Sequence, residues 1–77
     1  MNDVRVHPRE VVREALHRNA QAVIAARNDP TGDAEPTRRD IADACLLRYV
    51  LGQIEIKLVD YLIVGEKIKS MAERGLM

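Results

Sequence analysis

Residues 20–51, which read AQAVIAARNDPTGDAEPTRRDIADACLLRYVL, decide the fold. The run from Ala20 to Ala26 is compact and apolar, and residues 28–33 after it are dense in turn formers. This pattern predicts a buried strand that ends in a loop. Pro36 closes the loop, and a helix is predicted to follow it.

The helix after the loop is predicted from a capping signal and an apolar face. Thr37 is followed three residues later by Asp40, which resembles a capping box with Asp in place of Glu. We expect a helix from Arg38 to Leu51 that stops at Gly52. Its predicted apolar face consists of residues at helical spacing: Ile41, Ala44, Cys45, Leu46 or Leu47, and Val50. Within this face we interpret Cys45 as a small core residue.

The segment before the apolar run predicts another helix. Pro8 suits the first position of a helix that extends to Asn19. Ahead of it, Val4–Val6 alternate in the manner of a short strand. His7 and His17 have no second histidine at ligand spacing, so we interpret both without a metal role.

The segment after Gly52 predicts strands and a final turn. Residues 54–58 alternate as in a strand with one wet face, whereas residues 61–64 are apolar on both faces, as in a more central strand. A short edge strand over residues 67–69, whose lysines discourage sheet pairing, and a capped turn over residues 71–74 complete the prediction.

Length and composition restrict the chain to one small α/β (α+β) domain over residues 1–77. Helices alternate with strands, and a domain of this size buries only roughly 60% of its unfolded surface. No apolar run reaches membrane-spanning length and no secretory leader precedes the first helix, so we expect no membrane and a cytoplasmic location. The single Cys45 excludes an internal disulfide.

Charge and aromatic content do not indicate a nucleic-acid partner. Twelve Lys and Arg balance twelve Asp and Glu, and two Tyr are the only aromatic residues. A strong basic field and a platform for base stacking are therefore both unsupported. Some of the arginines either gather into a basic patch or form an ordinary solvated face: Arg9, Arg13, Arg27, Arg38 and Arg39.

Several segments together resemble the RadC family, whose domain is of the JAB/MPN, JAMM-motif metalloprotease type. In that family two His lie two residues apart at a strand end, followed by Pro-Ser-Gly-Asp, then Pro-Ser, and an Asp three residues later. Residues 26–40 resemble this motif, and residues 8–10, 60–65 and 73–76 resemble the family's other signatures. The resemblance implies a truncated JAB/MPN-like (cytidine-deaminase-like) mixed sheet with packed helices.

The resemblance also implies a zinc site that this sequence has lost. In the family, two His and one Asp hold zinc, water fills the fourth position, and a Glu on an earlier strand is the base. Asp40 matches the ligand Asp and Thr37 the Ser, but Arg27 and Asp29 stand at the His positions. Arg27 has no lone pair for a metal, and only Met1–Asp3 lie where the base would be. We therefore expect no catalytic residue and no cofactor at this degenerate site.

Two functions are compatible with these residues. The first is an inactive binding or assembly module, in which Arg27 pairs with Asp29 and Asp40, and homo-oligomers form through an exposed sheet edge or face. The second is a metal-dependent peptidase or isopeptidase with its metal at Asp29, Asp33 and Asp40. DNA repair, and with it nucleic acid, is implied only by the family's name. Thr37 and Asp40 also have a complete structural explanation as a helix cap.

Overall fold

The computed structural model describes residues 7–33 and 35–77, so the strand predicted at Val4–Val6 lies outside the described residues. The predicted α+β class is confirmed, because two helices accompany one three-stranded mixed sheet. The elements follow one another along the chain in this order: α1 (Pro8–His17), β1 (Ala22–Asn28), α2 (Arg38–Gln53), β2 (Lys57–Val64) and β3 (Ile68–Ser70).

The central strand of the sheet is β2, which lies between β1 and β3. It runs parallel to β1, to which α2 connects it, and antiparallel to β3. The register pairs Ala25 with Tyr61 and Ile63 with Lys69, and it shifts between Val23 and Ile24. Within the described residues, β1 and β3 are therefore the two edges of the sheet.

The hydrophobic core lies between α2 and one face of the sheet, with one contribution from α1. Leu47 and Leu51 of α2 and Tyr61 of β2 are fully buried. Complete burial of a large apolar side chain typically stabilises the folded state by about 1.5–3 kcal/mol. The core consists of these residues: Ala15, Ala25, Ala44, Leu47, Leu51, Ile56, Leu58, Tyr61, Ile63 and Met71.

Both helices end in the same hydrogen-bonding arrangement, in which a residue with positive φ follows the cap. At the end of α2, Glu55 has a φ of 60°, and the Ile56 N–H donates to the Leu51 carbonyl at 2.9 Å. Asn19 has the corresponding role after α1, with a φ of 54°. These are Schellman motifs, which satisfy carbonyls that would otherwise have no partner. The helix α2 therefore continues one residue past Gly52, where a stop was predicted.

A strand is present where one was predicted over Ala20–Ala26, but the prediction that this strand is buried is wrong. The strand exists but lies at the sheet edge, and only Ala25 within it is buried. Ile24 remains 59% exposed. An apolar run cannot distinguish a central strand from an edge strand, because both have the same periodicity.

The predicted apolar face of α2 is rotated relative to the observed one. The buried positions are Asp40, Ala44, Leu47 and Leu51, whereas Cys45 is exposed. The prediction of Cys45 as a core residue is therefore wrong. Asp40 can be buried on this face because Arg27 and Thr37 satisfy its carboxylate.

The C-terminal strands also differ from the prediction in two respects. Residues 54–56 belong to the end of α2 and the connection after it, and one strand, β2, replaces the two strands predicted over residues 54–64. Lys69 does not protrude from the edge, because it is only 8% exposed. No helix in the described part of the chain is long and apolar enough to cross a membrane.

Candidate functional site

The candidate site lies where β1 ends and α2 begins. Arg27 lies near the end of β1, opposite Ile63, and Asp29 follows the strand directly. Thr37 is the N-cap of α2, and Asp40 is in its first turn. Since the C-terminal end of a parallel strand and the N-terminus of its crossover helix meet at the same edge, the fold brings these residues together.

The centre of the site is a two-pronged ion pair between Arg27 and Asp40. The Arg27 Nε donates to Asp40 Oδ1 at 2.5 Å, and Nη2 donates to Oδ2 at 2.8 Å. The side chains are 17% and 2% exposed, respectively. A guanidinium fork matches the geometry of a carboxylate, and water-excluded pairs of this type are the strong ones. The predicted pairing of these two residues is therefore present.

Asp40 also forms the capping box that the sequence predicted. Its Oδ2 accepts a hydrogen bond from the Thr37 N–H at 2.8 Å, and the Asp40 N–H donates to Thr37 Oγ1 at 3.2 Å. Burial favours a raised pKa for Asp40, but the hydrogen bonds from Arg27 and Thr37 outweigh it and lower the pKa below 3.8. Asp40 is therefore ionised at neutral pH and serves the helix and the ion pair together.

Asp29 lies beside this pair but organises the loop. Its Oδ1 accepts hydrogen bonds from the N–H of Thr31 at 3.0 Å and from Thr31 Oγ1 at 2.7 Å. Its own N–H donates to the Val64 carbonyl at 2.8 Å, which extends the β1–β2 ladder by one bond. The pKa of Arg27 is raised mainly by the hydrogen bond to Asp40, with a smaller contribution from the charge of Asp29.

A second ionic cluster, which sequence reasoning missed, holds the loop against β3. The Lys69 Nζ lies 3.1 Å from Asp33 Oδ1 and 2.8 Å from Glu35 Oε2. Arg74 also binds Glu35. Strand alternation gave no signal for this cluster, because the pattern of residues 67–69 favours apolar Ile68 as the inward residue. In the structure Ile68 is 65% exposed and Lys69 only 8% exposed, so the ionised Lys69 requires a partner.

Tyr61 lies under the site with a buried hydroxyl. No described residue accepts or donates a hydrogen bond to its Oη. Burial raises the pKa of Tyr61 to about 12, and the negative charges of Asp40 and Asp43 add to this effect. The hydroxyl therefore stays neutral at neutral pH.

The described residues do not form a donor set that fits zinc. Among residues 7–33 and 35–77, no three His, Cys, Asp or Glu side chains come close enough to hold a metal ion. The members of the alternative metal set, Asp29, Asp33 and Asp40, each bind a different partner. The guanidinium of Arg27 only donates, and it covers both carboxylate oxygens of Asp40. This arrangement therefore supports no chemical step through zinc.

The other candidate residues are not brought to the site. His7 is the N-cap of α1, without a capping hydrogen bond from its side chain, and His17 is in the last turn. Of the arginines considered as a basic patch, Arg27 is bound to Asp40 and Arg39 pairs with Asp43 at 3.6 Å. The remaining three are exposed to solvent, in agreement with the alternative of an ordinary solvated face: Arg9, Arg13 and Arg38.

Comparison with known families gives the same assignment as the motif. A family model described as the RadC-like JAB domain matches residues 1–76. The chain belongs to this family. The match includes the strand β1, the loop after it and the helix α2.

Curated relatives of this RadC-like domain are UPF0758 proteins. One from Thioalkalivibrio sulfidiphilus is 51% identical over 72 residues, which cover 94% of this chain and 32% of the relative. One from Vibrio cholerae is 51% identical over 71 residues, covering 91% and 32%. UPF0758 protein YkfG of Escherichia coli is 47% identical over 78 residues, covering 100% and 49%. The RadC-like chain thus spans about a third to a half of these relatives.

Proposed function

We propose that this RadC-like domain is catalytically inactive and acts as a binding or assembly module, with the Arg27–Asp40 ion pair in the place of the family's zinc. The observation that carries the proposal is the two-pronged contact between these side chains, at 2.5 and 2.8 Å. A permanent cation there supplies the positive charge that buried Asp40 requires. The positive charge of Arg27 also repels a metal ion.

The polar side chains of the site form hydrogen bonds that stabilise the helix and the loop. Thr37, which matches the motif Ser, is engaged in the capping box with Asp40. Asp29 is hydrogen-bonded to Thr31. No described residue of the site is therefore available as a general base for a metal-bound water. The described residues form a folded scaffold in which β1 and β3 are the outer strands of the sheet, and an exposed sheet edge or face is a common surface for association.

The test is isothermal titration of the purified protein with zinc and with manganese, with thermal unfolding recorded at each metal ratio. We expect no stoichiometric heat and no change in the melting temperature. The matched comparison is the double variant Arg27→His with Asp29→His, which restores two imidazoles beside Asp40 and should bind zinc.

Two results would contradict the proposal. Stoichiometric binding by the wild-type protein, lost in Asp40→Asn, would favour the metal-dependent hydrolase with Asp29, Asp33 and Asp40 as ligands. An Arg27→His variant that is as stable as the wild type and still binds no zinc would show that Arg27 does not substitute for the charge of a metal.

A further inference from the structure

We propose that Lys69 and Arg74 form a binding site for the carboxylates of an acidic partner peptide, and that the chain's own Asp33 and Glu35 occupy this site as an autoinhibitory contact. These two carboxylates belong to residues 33–36, called the strap below, which are part of the loop between β1 and α2. The inference deepens the binding role proposed above and rests on it.

The sheet directs Lys69 toward the strap. The strand register pairs Lys69 of β3 and Arg27 of β1 with the same residue of β2, which is Ile63. Because directly paired residues project to the same face of a sheet, these three side chains share the covered face. Lys69 is only 8% exposed. Its cation is therefore in the same row of the sheet as Arg27, and both bind carboxylates of the segment that follows β1.

One carboxylate of the strap is bound by both cations. Glu35 Oε2 lies 2.8 Å from the Lys69 Nζ, and Glu35 Oε1 binds the Arg74 guanidinium. Each oxygen therefore has its own cation, and charge-assisted hydrogen bonds of this type are the strong ones. The hydrogen bond with Glu35 is the largest cause of the raised pKa of Lys69, so Lys69 is charged at neutral pH. Glu35 thus occupies its position as a carboxylate ligand would.

The second carboxylate of the strap gives the site a preferred spacing. Asp33 Oδ1 lies 3.1 Å from the same Lys69 Nζ that binds Glu35. One residue separates Asp33 from Glu35 in the sequence. A partner segment in which one residue separates an Asp from a Glu presents the same pair of charges to Lys69 and Arg74. A basic segment would be repelled by them.

The carboxylates of the strap are accessible to exchange, in contrast to Asp40. The side chains of Asp33 and Glu35 are 83% and 63% exposed, whereas that of Asp40 is 2% exposed. Water screens ion pairs of exposed carboxylates, so each such pair contributes little to stability. An acidic segment of a partner can therefore compete for Lys69 and Arg74, but not for Arg27.

The strap lies between two anchors of the loop. On one side, the Gly32 carbonyl accepts a hydrogen bond from the Glu66 N–H at 2.9 Å. On the other side, the Thr37 N–H donates to Asp40 Oδ2 at 2.8 Å, within the capping box of α2. Because both anchors are outside residues 33–36, the strap can move aside while the start of the loop and the helix stay in place.

The test compares the wild-type protein with Glu35→Gln, which removes the negative charge that both cations bind. The probe is the acetylated and amidated peptide Gly-Asp-Ala-Glu-Pro, which repeats residues 32–36. Binding is followed by heteronuclear NMR titration at low ionic strength. We expect Glu35→Gln to bind the probe about fivefold more tightly than the wild type, because a tethered carboxylate no longer competes with it.

Matched variants separate the strap from a general change in charge. Glu73→Gln makes the same change in net charge at an exposed position next to Arg74 in the sequence, and should bind the probe as the wild type does. Adding Arg74→Gln to Glu35→Gln should remove the gain, and the neutral peptide Gly-Asn-Ala-Gln-Pro should bind none of the proteins. Circular dichroism checks folding. Asp33→Asn, which should also increase affinity, decides the matter if Glu35→Gln does not fold.

Three outcomes would overturn the inference. Glu35→Gln could bind the probe no more tightly than the wild type, Glu73→Gln could gain as much as Glu35→Gln, or inorganic phosphate could bind Glu35→Gln more tightly than the acidic peptide does. None of these measurements involves a metal. The peptide can therefore fail to bind while the protein still binds no zinc, and metal binding can be found while the strap still competes with the peptide.

Discussion

Arg27 and Asp40 show what a buried carboxylate requires from its surroundings. A buried carboxylate must have a compensating charge, and a guanidinium in reach provides it with two hydrogen bonds. The sequence alone predicted this pair from the family motif, because the motif places the two residues at one site. It did not predict that Asp29 would bind Thr31, because that carboxylate was expected to pair with Arg27.

At the residue scale, Arg27→Ala should lower the free energy of unfolding by about 3 kcal/mol, because it leaves Asp40 buried and uncompensated. The matched control is Arg18→Ala, which removes an exposed i,i+4 pair with Glu14 and should lower the free energy of unfolding far less, because water screens that pair. Urea denaturation measures both. Equal losses in the two variants would show that the Arg27–Asp40 pair is no stronger than a surface contact.

The elements were predictable to different degrees, for physical reasons. The helix starts were predicted correctly, because Pro8 at the first position of α1 and the Thr37–Asp40 capping box are local signals. The rotation of α2 was not, because Ile41 and Cys45 are as apolar as residues that are buried. The burial of Asp40 depends on Arg27, which lies 13 positions earlier.

Loop attachment is also a property of element packing. The Gly32 carbonyl accepts a hydrogen bond from the Glu66 N–H at 2.9 Å, so the loop after β1 lies directly on the β2–β3 connection. Gly65 is in the same contact, where a Cβ would lie 2.6 Å from the Gly32 oxygen. Together with the ionic cluster around Lys69, this contact fixes the loop that precedes α2.

At the element scale, Gly65→Ala should destabilise the protein by about 1–3 kcal/mol, because backbone atoms would have to move apart. Gly52→Ala is the control, since a Cβ there meets nothing within 4 Å. In the last turn of α2 it should stabilise by up to about 1 kcal/mol. Thermal and urea unfolding measure whether each variant is more or less stable than the wild type. A Gly65→Ala protein as stable as the wild type would contradict the close loop packing.

Among residues 7–33 and 35–77, the helices cover one face of the sheet and leave the other exposed. The helices cover the face that contains Ala25, Tyr61 and Ile63. The opposite face, called the outer face below, contains Ile24 and Ile68, which are 59% and 65% exposed. The strand register places Ile68 beside Val64 on the outer face. Exposed apolar patches of this kind often mark association surfaces.

At the scale of the whole molecule, self-association through an exposed edge or face stays a prediction. Because Ile24 and Ile68 are exposed on the outer face, we expect dimers to form through this face. Sedimentation velocity should show a mass that increases with concentration, and Ile68→Lys should suppress the increase. Leu46→Lys, on exposed α2 surface, is the control. A monomer at every concentration, or equal effects of both variants, would contradict this prediction.

The sequence by itself determined the family, the succession of α1, β1 and α2, and the starts of both helices, because these depend on neighbours along the chain and on motifs read position by position. Only the tertiary structure decided that β1 is an outer strand among the described residues, that Lys69 is buried with Asp33 and Glu35, and that Cys45 faces water. These properties depend on which residues meet across 13 to 36 positions of chain. Local periodicity does not contain that information, because an edge strand and a central strand, or two rotations of one helix, can share the same pattern.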